Sequence, residues 1–171
     1  MGTPKLIVFG GLPGTGKTTL ARALAREIGA VHLRIDTIEQ AIRDLMPSGY
    51  SLDDLGYRIA YAIAEDNLRI GRTVIADSVN PISITRDAWL GVALRANVAF
   101  VEVEVICSDC AEHRRRVERR TTDICGLTLP TWQEVVDREY HPWARDHVVI
   151  DTVGQSADRS LEILLEMLSG R

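Results

Sequence analysis

At 171 residues, 46% apolar and 26% charged, the chain has the material for one packed domain and too little for two. A formal charge of -4 argues against a protein devoted to coating nucleic acid, which needs a basic excess to neutralise phosphates. No apolar run approaches the roughly 20 residues of a membrane-spanning helix, and MGTPKLIVFGG reaches glycine too early for a secretory signal, so a cytoplasmic location without membrane partners is expected.

The first element is KLIVFG at 5–10, a short apolar run with the character of a strand buried on both faces. Directly after it, Gly11-Leu12-Pro13-Gly14-Thr15-Gly16-Lys17-Thr18 matches the phosphate-binding pattern G-x-x-x-x-G-K-[ST] in full. Next comes TTLARALAREIG, where Leu20, Leu24 and Ile28 recur every four residues and predict an amphipathic helix. Strand, loop and helix in that order are the context the motif requires. Its glycines let backbone N–H groups converge on phosphate oxygens, and the helix start adds unpaired donors. Residues Gly11 to Thr19 are therefore the expected nucleotide site, with Lys17 on the β- and γ-phosphates and the Thr18 hydroxyl on Mg²⁺. No N/T-K-x-D segment for guanine follows either of the last two strands, which favours ATP.

VHLRI at 31–35 predicts the second strand, and Asp36 follows it. In a parallel α/β sheet ligands sit beyond the carboxyl ends of the strands. Asp36 has a structural reading, an N-cap forming a capping box with Glu39, and a functional one, taking the proton of an acceptor hydroxyl. After an irregular stretch at 45–52, Leu55, Ile59, Ala62 and Ile63 predict a helix over 53–70. TVIADS at 73–78 predicts the third strand and ends at Asp77, either a turn residue in DSVNP or an acid that holds Mg²⁺ directly or through water. Asn80 and Arg86 are weaker candidates for the same cleft.

VAFVEVEVI at 98–106 predicts the fourth strand, followed by the arginine-rich helix HRRRVERR. Such a run is often a solvated face. Arg116 and Arg120, at i and i+4, are also placed to surround a transferring phosphoryl group from a mobile lid at about 112–131. Pro130, Thr131 and Glu134 read as a helix start on the return arm. Cys107 and Cys110 have C-x-x-C spacing with His113 and Cys125 nearby, but no second pair completes a zinc site, and Cys107 reads as a core residue. Trp132, Tyr140 and Trp143 read as packing. HVVID at 147–151 predicts the last strand. SADRSLEILLEMLSG predicts a closing helix from Ser156 to Gly170.

Strands alternating with helices predict an α/β three-layer sandwich around a five-stranded parallel sheet, formed by 1–171 as a single domain with a helical lid.

The pieces GLPGTGKTTLA, IDTIEQAI, YRIAYAIAEDNLRIGRTVIADSVN, VEVICSDCAEHRRRVERR and VVIDT run in order across the chain. In that combination the chain resembles the small P-loop kinases of the adenylate-kinase-like superfamily, in particular the group with chloramphenicol phosphotransferase, gluconate kinase and zeta-toxin relatives. The resemblance implies sheet order 2-3-1-4-5, carries the role of catalytic base to Asp36, and places the lid arginines at Arg116 and Arg120. Nucleoside monophosphate kinases usually hold the acceptor phosphate with an arginine in the early helix; here TIEQAIRD reaches Arg43 two turns on, which disfavours a nucleotide acceptor.

The expected activity is ATP- and Mg²⁺-dependent transfer of the γ-phosphoryl group to a hydroxyl of a small molecule. Residues 36–60 would form the acceptor pocket, with Tyr50, Tyr57 and Arg58 as candidates. The rival readings are a P-loop NTPase acting as a switch or assembly factor, and a kinase of nucleic-acid 5′-ends or of a nucleotide sugar.

Overall fold

The computed structural model describes residues 3–47 and 49–170. The five apolar runs form strands β1 (Lys5–Gly10), β2 (Val31–Arg34), β3 (Val74–Asp77), β4 (Ala99–Ile106) and β5 (Val148–Asp151). They pair in parallel in the order β2-β3-β1-β4-β5, as the resemblance implies. Alternate residues of β1 serve opposite faces: Leu6 and Val8 pack on one side, Ile7 and Phe9 on the other. Both faces are covered, so the run is continuously apolar instead of alternating.

Helices α1 (Lys17–Ile28) and α7 (Ala157–Ser169) bury Leu20, Leu24 and Leu164 against the Ile7 and Phe9 face. Helices α3 (Leu55–Arg69) and α4 (Ser83–Ala96) cover the other face with Ala60, Ala64, Trp89 and Val92. The fully buried Trp89 meets Tyr61 edge to face, centroids 4.5 Å apart. Three further helices, α2 (Ile35–Leu45), α5 (Cys110–Arg119) and α6 (Trp132–Val136), surround the site described below.

Two of the predicted helix starts have the expected chemistry. Thr131 and Glu134 form a reciprocal capping box on α6, and the Ser156 hydroxyl accepts the Arg159 N–H at 3.2 Å on α7, each worth about 1 kcal/mol. Asp36 behaves differently from its capping reading. Helix α2 begins two residues earlier than that reading requires, with extended Arg34 as N-cap and no side-chain cap bond, so Asp36 lies inside the first turn. Its carboxylate is left for the cleft. The irregular stretch at 45–52 is the α2–α3 connection, with Ser48 outside the described residues.

The sheet register positions the chemistry. Phe9 and Arg34 both pair with Asp77, so the start of the phosphate loop, the end of β2 and the end of β3 share one row at the carboxyl edge. Among the described residues no helix is long and apolar enough to cross a membrane.

Candidate active site

The loop between β1 and α1 is held from three sides. Beneath it, the Gly11 N–H donates to the Val79 carbonyl at 3.0 Å, tying the loop to the end of β3. Above it, the buried His113 of α5 sets Nε2 2.8 Å from the Pro13 carbonyl. Beside it, the Thr152 hydroxyl donates to the Thr15 carbonyl at 2.8 Å, from just after β5. Gly14 has φ +89, and a Cβ there would lie 2.5 Å from Val117 Cγ2 of α5. Glycine thus serves both the turn and the close approach of the lid helix.

Thr18 and Asp77 meet at the first turn of α1. The Thr18 hydroxyl donates to Asp77 Oδ1 at 3.2 Å, and His32 Nε2 lies 3.3 Å from Asp77 Oδ2. Asp77 is only 2% exposed, so both carboxylate oxygens depend on these partners. A hydroxyl beside a carboxylate is a set of hard oxygen donors, which fits Mg²⁺ better than softer metals.

Two cavities open beyond the strand ends. The first, about 470 Å³, is lined by Gly14, Gly16, Lys17, Thr18 and Thr19 of the loop and α1, with Asp36, Arg116 and Arg120 opposite. Arg22, Arg34 and Asp123 close its far side. The second, about 490 Å³, is lined by Pro13, Glu39, Gln40, Arg43 and Arg138. Lys17, Asp36 and Arg120 line both, with Leu127 and Leu129. A smaller recess of about 260 Å³, bounded by Thr19, Arg116, Gln155 and Ser160, adjoins the first cavity.

Arg116 and Arg120 share a cavity but differ in engagement. Arg116 donates to the Thr152 hydroxyl at 2.7 Å and carbonyl at 2.8 Å and pairs with Glu112, which fixes it at the cavity wall. Arg120, at the end of α5, has a buried Nε with no hydrogen-bond partner.

The charges are crowded. Burial pulls the Lys17 ammonium below its ordinary value, against the attraction of Asp77 and Asp36. Burial likewise lowers Arg120; Asp36 opposes this, while Arg34 and Arg138 add like charge. Both cations are poised to gain from an incoming polyanion. Burial raises the Glu39 carboxyl, with Arg43 pulling it back.

Other sequence candidates lie elsewhere. Tyr57 is part-buried; its hydroxyl accepts the Asn80 N–H at 3.2 Å and lines neither cavity. Tyr50 and Arg58 are exposed and outside both. Arg86 is buried at 3% exposure and donates to the carbonyls of Asn80, Pro81, His141 and Pro142 at 2.8–3.0 Å. Its guanidinium lies 4.1 Å from the Trp143 ring centroid. Arg86 therefore fastens the return arm to the segment after β3, and Trp143 packs as expected. Cys107 is buried, as its core reading expects, while Cys110 and Cys125 are exposed.

Sequence reasoning did not single out His32, Arg34, Asp123 and Arg138. Arg34 had a usable signal, since it ends the strand beside the one that ends in Asp77, whereas His32 lies two residues earlier. Asp123 and Arg138 had none, because they reach the site through irregular backbone.

A family model described as "AAA domain" matches residues 6–137. The cytidylate kinase of Ignicoccus hospitalis is 31% identical over 142 residues, covering 82% of this chain and 77% of that protein. Among solved structures, the APS kinase CysC of Mycobacterium tuberculosis, in complex with AMPPNP and APS, superposes with TM-score 0.72 at 18% identity over 99% of both chains. A gluconokinase from Sinorhizobium meliloti 1021 superposes with TM-score 0.65 at 22% identity, over 99% of this chain and 98% of that one. The fold is that of a kinase-like P-loop NTPase. The chain belongs to the AAA domain family and is a small P-loop kinase of the adenylate-kinase-like kind.

Proposed function

We propose that the chain is an ATP- and Mg²⁺-dependent phosphotransferase that moves the γ-phosphoryl group to a hydroxyl of a small molecule. One observation carries this reading: Lys17, Asp36 and Arg120 line both cavities, so a cation pair and a carboxylate stand where two ligands would meet.

ATP lies with its phosphates along residues 11–19 and its base toward the recess of Gln155 and Ser160. The Thr18 hydroxyl and Asp77, directly or through water, would hold Mg²⁺, which would supply neutralising charge to the phosphates. The acceptor hydroxyl occupies the second cavity against Asp36. Its oxygen attacks the γ-phosphorus as the bond to the β–γ bridging oxygen breaks; ADP leaves with that electron pair, and Asp36 takes the hydroxyl proton. Lys17, Arg120 and the moored Arg116 stabilise charge on the transferring group. A carboxylate in this position favours an alcohol acceptor over a phosphate, whose oxygen is already ionised and needs no base.

The test is ATP consumption by the pure protein across hydroxylated metabolites, antibiotics, nucleosides and nucleotides, with Asp36→Asn alongside. Acceptor-dependent turnover should fall about 10²- to 10⁴-fold in the variant, with ATP binding changed less than a few-fold. Full turnover in the variant would remove Asp36 from the chemistry. Turnover stimulated by a protein partner and by no small molecule would overturn the kinase reading.

A further inference from the structure

The two cavities share their cations unequally. Arg22, Arg34 and Arg116 line the phosphate cavity alone, Lys17 and Arg120 line both, and Arg43 and Arg138 line the second cavity alone. Around the second cavity four cations thus face two carboxylates, Asp36 and Glu39. Bound ATP would engage Lys17 and Arg120. Arg43 already holds Glu39, Nη2 to Oε2 at 3.2 Å. Arg138 is different: among the described residues its side chain makes no hydrogen bond or ion pair. Arg138 is exposed and acts on Glu39 and Glu134 only through space, so an anionic group on an acceptor in this cavity would meet a cation with no close partner.

We propose that the second cavity takes a hydroxylated organic anion, whose reacting hydroxyl faces Asp36 and whose carboxylate or phosphate faces Arg138 and Arg43. The proposal rests on the phosphotransfer reading for the role of the hydroxyl, but not for the binding of the anion.

The spacing narrows the class. Asp36 and Arg43 are seven residues apart on α2, a rise of about 10 Å along the axis. Helical side chains lean back toward the N-terminus, which shortens the span that the ligand must cover. The hydroxyl and the anionic group are therefore several bonds apart, as in a sugar acid or a sugar phosphate, and a 2-hydroxy acid is too short. Gln40, buried and donating to Asp44 Oδ1 at 2.8 Å, stands with Glu39 between the two ends and suits the intervening hydroxyls. The far wall is the return loop: Gly126 has φ +78, which favours glycine, and a Cβ there would lie 2.9 Å from Gln40 Nε2, which shows how closely the loop approaches α2.

The test uses matched pairs with the phosphate cavity filled by AMPPNP: an aldonic acid and its alditol, a hexose phosphate and its hexose, a nucleoside monophosphate and its nucleoside. Binding is read by calorimetry and thermal shift. At least one anionic member should bind ten-fold or more tighter than its neutral partner. Arg138→Gln should erase most of that difference while AMPPNP binding stays within two-fold, and Arg138→Lys should keep part of it. The carboxylate and phosphate arms identify which oxyanion is preferred. Equal binding of charged and neutral partners, or discrimination that survives both Arg138→Gln and Arg43→Gln in folded protein, overturns the proposal. An anion that binds through Arg138 and is never phosphorylated leaves this subsite standing and defeats the transfer reading instead.

Discussion

Asp123 accepts a hydrogen bond from Arg34 Nη1 at 2.6 Å, which ties the return loop of the lid to the end of β2. Arg22 of α1 donates to the other carboxylate oxygen at 2.8 Å, so one acid bridges two elements on either side of the phosphate cavity. The arginines hold the Asp123 carboxyl well below the ordinary 3.8. A lowered acid contributes stability above its unfolded value and loses it as pH falls through the folded one. The latch therefore persists at neutral pH and fails only in acid. The carboxylate is more than half exposed, so salt screens it. Asp123→Ala is expected to raise amide exchange across 121–129 about two- to five-fold and to increase ATP hydrolysis without acceptor. Hydrogen exchange and an ADP-release assay check both, and 0.5 M salt should shrink the difference.

Lys17→Met separates stability from function. Net burial lowers the Lys17 value, so the charged form costs stability in the nucleotide-free protein. The cost is present below the folded value and is relieved as pH rises through it toward 10.5. At neutral pH the variant should melt a few degrees higher without nucleotide, a gain of about 1 kcal/mol, while ATP affinity falls at least about 100-fold. Melting curves at several pH values are decisive: the gain should diminish in alkali.

His32→Ala leaves Asp77 Oδ2 without its partner in a site only 2% exposed. An orphaned buried acceptor costs about 1–3 kcal/mol. Thermal denaturation should show that loss, and His32→Gln, which retains a donor, should recover part of it. Mn²⁺ binding followed by electron paramagnetic resonance, with ATP present, should weaken in the alanine variant, because Asp77 is no longer oriented.

Arg86→Met removes the fastening of the return arm. Four carbonyls lose a charged donor at once, and the packing over Trp143 goes with it. The expected cost is about 3–5 kcal/mol, seen in chemical denaturation. Arg86→Lys should recover little, since an ammonium cannot reach four carbonyls in the plane of a guanidinium.

The sheet was legible because its inner strands β1 and β3 are buried on both faces and so stand out as short apolar runs; even the resemblance-based order proved right for β2-β3-β1-β4-β5. The phosphate loop was legible because its backbone demands glycine at fixed spacing. Asp36 was found for its position after a strand; of its two readings the capping one does not hold, since helix α2 starts at Ile35 and takes the carboxylate into its first turn. The acceptor side was poorly legible. Tyr50 and Arg58 were chosen by segment and point away, while Arg138 lies about a hundred residues beyond Asp36 and arrives through the lid's return arm. A cavity assembled from distant irregular backbone has no periodicity to read.

Lys17, Asp36, Arg120, Leu127 and Leu129 line both cavities, so the two lie side by side across shared side chains. That adjacency bears on inhibitor design. A single compound carrying a nucleotide at one end and a hydroxy-acid mimic at the other would have to span both cavities, and its second half would bind at the millimolar effective concentration of a short tether. The linker length giving the tightest compound would serve as a ruler for the gap that the phosphoryl group must cross.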